Sequence, residues 1–149
     1  SAMPWYDQRA SLRTCAFLPD IATQIASMDY WFYTNTALTG VSGWANVRGL
    51  ASARHAFNGC TGLATLDLSG LDPSALKDYF YMFAGCTNLV TVYADATWAL
   101  ASGASGMGTF YNCRSIVGGN GTTYSSSANS YARMVIDRAG QAGYLTAAR

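Results

Sequence analysis

The chain has 149 residues, of which 50% are hydrophobic and 11% charged; its net charge is +1, glutamate is absent and Lys77 is the single lysine. That is enough apolar material for a buried core and too much for a disordered chain. The surface, built of Ser, Thr, Asn, Gly and Tyr, argues against nucleic acid and anionic membranes, which need basic stripes, and no apolar run reaches the roughly 18 residues of a membrane span.

Ser1-Ala2-Met3 reads as a scar of cloning, so residues 1–3 are set aside. Residues 4–13 form a lead-in whose Trp5 and Tyr6 are expected to cover one end of the core. A first strand is expected over 12–17 and is broken by Leu18-Pro19-Asp20. Residues 21–32 have mild helical spacing, with Ile25, Met28 and Phe32 on one side. A short, Gly-flanked strand follows over 38–43, then a helix over 47–57. A third strand is expected over 64–68, where the side chains alternate: Leu66 and Leu68 point one way, Thr65, Asp67 and Ser69 the other. The stretch 73–83 returns to helical spacing through Leu76, Phe80 and Phe83, and Asp72-Pro73 suits a helix start. A strand over 90–94 leads to an Ala/Ser/Gly-rich loop over 96–106 and a last helical turn over 106–111. Beyond Gly118, Asn120-Gly121 is a turn signal and Ser125-Ser126-Ser127 a loop tip. A strand over 131–136 is expected to pair with 143–146 across an Ala139-Gly140 turn.

One pattern recurs through this order. Phe57-Asn58-Gly59-Cys60 is followed by Leu63, Leu66 and Leu68; Phe83-Ala84-Gly85-Cys86 by Leu89, Val92 and Ala94; Phe110-Tyr111-Asn112-Cys113 by Ile116. A worn copy, Phe32-Tyr33-Thr34-Asn35, precedes Leu38 and Val41 and has Asn35 in the cysteine place. A weaker copy starts at Tyr6. A period near 26 residues marks a solenoid, in which each strand buries its apolar face only against its neighbours. The expected fold is therefore α/β: a solenoid of about four to five coils, with a parallel sheet on one side, short helices on the other and a C-terminal cap. Residues 4–117 would be the solenoid with its N-terminal capping coil, and 118–149 the cap, with no second domain.

The segments AFNGCTGLATLDLSGLD (56–72) and YMFAGCTNLVTVY (81–93) resemble the MFxxCxxLxxLDLSxxD repeats of the BspA-like leucine-rich-repeat surface proteins of bacteria. The tail from 109 to 146 is similar to the closing segment of such arrays, where a last MFxxC coil runs into VGGNGT and a YAR…PGYFT-like end. Here Gln141-Ala142-Gly143-Tyr144-Leu145-Thr146 stands in that place, with Ala142 for the usual proline. The resemblance implies a leucine-rich-repeat-type fold and an exported, surface-displayed parent protein.

Cys60, Cys86 and Cys113 hold one equivalent position per coil and are expected to stack as buried free thiols. Parallel Cβ atoms in adjacent strands lie about 5 Å apart, against about 3.8 Å in a disulfide. Neither a CxxC nor a Cys–His cluster is present, so no zinc or other cofactor is expected.

The outward strand positions are the candidate binding face: Ser42 and Trp44, then Thr65, Asp67 and Ser69, then Thr91, Tyr93 and Asp95. Exposed aromatics among hydroxyls and carboxylates suit a glycan or a protein partner, although β propensity alone also selects such residues. The one histidine, His55, reads as a surface helix residue, not as a base beside a nucleophile. Asp67 and Asp95 fall in different rows, which argues against paired-carboxylate catalysis. Gly118-Gly119-Asn120-Gly121 lacks the GK[ST] ending of a phosphate loop and reads as a cap turn; the sequon Asn120-Gly121-Thr122 reads as coincidence. The leading expectation is a non-enzymatic, monomeric binding or adhesion module at the cell surface or secreted, facing a protein or glycan partner. The alternatives are a structural spacer and, more remotely, a carbohydrate-active enzyme fragment.

Overall fold

The structure, a computed structural model, describes residues 3–19 and 24–149. Five short strands form among them: β1 (Thr14–Ala16), β2 (Gly40–Ser42), β3 (Thr65–Asp67), β4 (Thr91–Ala94) and β5 (Leu145–Ala147). They make two small parallel sheets, β1-β2 and β3-β4-β5. The register sets Leu66 beside Val92 and Val92 beside Leu145, all three buried, so the alternation of each strand puts its apolar residues on a common inner face. β2 and β3 lie side by side without ladder hydrogen bonds, so the single sheet expected over the repeats is divided in two.

The expected helices do not form. Among the described residues, helical structure is confined to the single 3-10 turns Tyr6–Gln8, Trp44–Asn46 and Tyr131–Arg133. The stretches 47–57, 73–83 and 106–111 are instead turns and extended backbone, as is the described part of 21–32; residues 21–23 lie outside the described residues. The reason lies in where the backbone N–H groups go. Trp31, Tyr33 and Asn35 donate to the carbonyls three residues back (Met28, Tyr30, Phe32), a run of overlapping β-turns. The intervening Met28, Tyr30, Phe32 and Thr34 donate to Ser52, Arg54, Ala56 and Asn58 of the next segment, at 2.7–2.9 Å. The same alternation joins Ala53, His55, Phe57 and Gly59 to Asp78, Phe80, Met82 and Ala84, and Tyr79, Tyr81, Phe83 and Gly85 to Ser105, Met107, Thr109 and Tyr111.

Such a ribbon needs left-handed residues. They fall in pairs four apart: Tyr30 and Thr34, His55 and Gly59, Tyr81 and Gly85, Gly108 and Asn112, with φ between 51° and 80°. Non-glycine residues enter this region at a cost of roughly 1–2 kcal/mol each, and an α-helix cannot contain them. Helical spacing of Leu76, Phe80 and Phe83 was thus a false signal: in the ribbon Leu76 and Phe83 are buried while Phe80 is half-exposed.

The core lies between the sheets and this second ladder as one cluster from Phe17 to Leu145. Its axis is a column of phenylalanines. Phe32, Phe57, Phe83 and Phe110 are fully buried and stack at centroid separations of 5.3, 5.4 and 5.5 Å, within 19° of parallel. Trp5 stacks on one end, 5.9 Å from Phe32, and donates its Nε1–H to Trp31 O. Tyr144 closes the other edge-on, 5.0 Å from Phe110. Tyr6, expected to share the covering role with Trp5, is exposed.

Beside the phenylalanines run three buried free thiols. Cys60, Cys86 and Cys113 each donate to the carbonyl of the phenylalanine one segment earlier (Phe32, Phe57 and Phe83) at 3.1, 3.0 and 2.9 Å. Burial pushes all three thiols up, Cys86 to about 12. Asn35, in the same place of the first segment, is buried and its Nδ2 has no partner among the described residues.

The C-terminal segment differs from expectation. Residues 131–133 form a 3-10 turn capped by Ser130, whose Oγ accepts from Ala132 N. β5 joins β4 in parallel instead of pairing antiparallel with 131–136; Ile136 keeps one parallel bridge to Leu145. Paired Arg138–Gln141 hydrogen bonds close the Ala139-Gly140 turn. The carboxylate of Asp137, almost fully buried, ties this segment to the glycine-rich turn. It accepts from Asn120 N, Thr122 N, Thr122 Oγ1 and Gly143 N. Burial opposes the charge, but these donors prevail and hold its pKa below the usual carboxylate value.

Candidate functional site

The outer face of β3-β4-β5 carries one continuous polar row. Pairing of Asp67 with Tyr93 and of Tyr93 with Thr146 brings three side chains abreast, and Thr65 and Thr91 form the row before them. Thr65 and Asp67 are exposed, while Thr91, Tyr93, Asp95, Ser69 and Thr146 are half-exposed. Strand alternation positions them all: each faces out because its neighbours Leu66, Leu68, Val92, Ala94 and Leu145 are driven inward.

Local hydrogen bonds stiffen the end of this face. Asp67 Oδ1 accepts from Ser69 N at 2.9 Å and from Ser69 Oγ. Asp95 Oδ2 accepts from Gly70 N at 3.0 Å, linking β4 to the turn after β3. Two shallow recesses flank the Ser69–Gly70 ridge. One, of about 360 Å³, is lined by Asp67, Ser69, Tyr93 and Thr146 with Ala148 and Arg149. The other, of about 320 Å³, lies between Asp72, Ser74 and Asp95 beside Trp98. Asp67 and Asp95 therefore open into different recesses. Among the described residues no three His, Cys, Asp or Glu side chains gather as a metal site.

Two of the expected face residues fall elsewhere. Trp44 is buried, 2% exposed, with Nε1–H donating to Val41 O and its ring against Phe17 at 5.3 Å. The cause is Gly43. At φ 82° it ends β2, and a Cβ there would sit 2.1 Å from Phe17 O. The chain turns into the Trp44–Asn46 3-10 turn and carries the indole inward. Ser42 is exposed but belongs to the β1-β2 sheet, beside Ala16. Thr146 and Arg149 were missed, although Leu145-Thr146-Ala147 repeats the short alternation of β3; expecting an antiparallel hairpin hid its place.

His55 is not a surface helix residue. Its ring sits between Tyr30 (4.7 Å, 16°) and Tyr81 (5.5 Å, 8°), with Tyr33 and Phe80 edge-on. Asn58 Nδ2 lies 2.8 Å from its Nδ1. Burial and then the Arg54 charge lower its pKa, while Asp29 and Asp78 pull the other way. Its ring faces and Nδ1 are occupied, and it belongs to the second ladder, away from Asp67 and Asp95.

No family model matches the chain, and neither a curated protein nor a solved structure does. No helix among the described residues is long and apolar enough to cross a membrane.

Proposed function

We propose that this chain is a leucine-rich-repeat-type solenoid segment of a BspA-like bacterial surface protein, acting without catalysis as a binding or adhesion module that presents its sheet face to a protein or glycan partner. The observation that carries the reading is the row Asp67–Tyr93–Thr146, held in register on a parallel sheet whose other side buries Leu66, Val92 and Leu145. A stiff polar face with a half-exposed aromatic at its centre is the kind of surface on which binding energy concentrates. Support for the solenoid comes from the phenylalanine column and from left-handed residues recurring with the sequence period. The module works as a monomer, through contacts of this face alone.

The test is capture of binding partners from host-cell surface extracts and on a glycan array, repeated with Tyr93→Ala and Thr91→Asp. Specific binders lost on both changes support the face. Binders indifferent to both, or none at all, overturn it.

A further inference from the structure

The recess at the β5 end of the sheet face gathers polar groups that the fold does not use up. Asp67 spends Oδ1 on Ser69 and leaves Oδ2 without a donor among the described residues. The Tyr93 hydroxyl and Thr146 Oγ1 likewise have no protein partner among them, and the Tyr93 ring makes no aromatic contact there. The sheet register delivers these three side chains to one opening of about 360 Å³.

The chemistry of this set is selective. A carboxylate acceptor, two hydroxyls that both donate and accept, and a half-exposed ring face suit a molecule with hydroxyls on its edge and C–H groups on its flat side. Asp67 repels an anion such as phosphate, and Arg149, which also lines the opening, disfavours a bare cation. With the two charges opposed, the recess prefers a neutral guest. Ordinary small-ligand sites combine a few convergent polar groups with an apolar wall in this way.

Resting on the reading of the sheet face as a binding surface, we propose that this recess is a subsite for one neutral pyranose unit of a glycan. The carboxylate of Asp67 accepts from two adjacent sugar hydroxyls or one of them, Thr146 and the Tyr93 hydroxyl complete the edge, and the sugar's C–H face lies on the Tyr93 ring. A guest of about a dozen heavy atoms in so open a site binds at about millimolar strength, and a longer glycan gains by extending along the face.

The experiment is a titration of the whole chain, followed by backbone amide shifts, with the methyl glycosides of glucose, galactose and mannose. Glycine and inorganic phosphate are run beside them as zwitterionic and anionic probes. At least one glycoside should shift the amides of residues 67–69, 93 and 146, and Asp67→Asn and Tyr93→Ala should weaken it about tenfold. Asp67→Asn retains an acceptor for Ser69 N, so it keeps the turn, and unchanged thermal melting of both variants checks the fold. Ser102→Ala, exposed and outside the lining of the recess, should leave binding within about twofold. Shifts with glycine or phosphate but no glycoside overturn the saccharide assignment, as does glycoside binding that ignores Asp67 and Tyr93. Partners captured on the sheet face that compete with no glycoside leave that face standing and refute the subsite; no partner of any kind refutes both.

Discussion

At the scale of single residues, a few buried polar groups have unequal fates. Tyr79 is fully buried and its hydroxyl has no partner among the described residues; burial also raises its pKa. An unsatisfied buried hydroxyl is destabilising. Tyr79→Phe is therefore expected to raise the unfolding free energy by about 1 kcal/mol, read from urea denaturation; a loss of stability would mean the hydroxyl is satisfied. Asp137 is the opposite case, with a carboxylate accepting from four donors. Its folded pKa is depressed, so the stability it contributes is present above the unfolded carboxylate pKa and is lost as pH falls through the folded one. Melting temperature should drop below about pH 4 in the native chain, and Asp137→Asn should be less stable at neutral pH with a flatter acid limb. Parallel acid limbs for the two proteins would assign the acid sensitivity to other carboxylates.

The elements are short, and their ends are decided by single backbone positions. Gly43 ends β2 in a conformation that favours glycine and in contact with Phe17 O. Gly43→Ala should cost more than about 2 kcal/mol, whereas Gly140→Ala, at φ 81° with open space around it, should cost about 1 kcal/mol, the left-handed strain alone. Equal costs would show that the close approach at Gly43 relaxes. In β3 the alternation separates neighbours. Leu66→Asp buries a charge against Val92 and should leave the chain unfolded, while Thr65→Asp, exposed, should change stability by under about 1 kcal/mol. Circular dichroism of the two variants decides it: similar damage from both would refute the assigned faces.

Across the whole molecule, segments distant in sequence share one buried cluster and hand backbone hydrogen bonds from each to the next. No segment can keep its ribbon without the carbonyls of its neighbour, so loss of one should propagate. The three buried thiols offer a native readout, since each belongs to a different segment. In pulsed thiol labelling across a urea series, Cys60, Cys86 and Cys113 should become reactive with one shared midpoint, while half-buried Cys15 reacts earlier. Three separated midpoints would show that the segments unfold one by one.

The alternation of Thr65 to Ser69 and of Thr91 to Asp95 was legible because a two-residue period depends only on which side of a strand is dry. So was the equivalence of Phe57, Phe83 and Phe110, since a stacked column requires the same ring at the same interval. What the sequence could not carry was the path of the backbone between those points. Apolar residues three and four apart suit an α-helix and a run of overlapping turns equally, and only the neighbouring segment, by taking every second N–H, selects the turns. The same holds for Trp44, sent inward by a glycine pressed against Phe17, and for Thr146, brought to the face by pairing with Tyr93. The amino acids alone determined which side chains avoid water; contacts between distant segments decided where the polar ones meet.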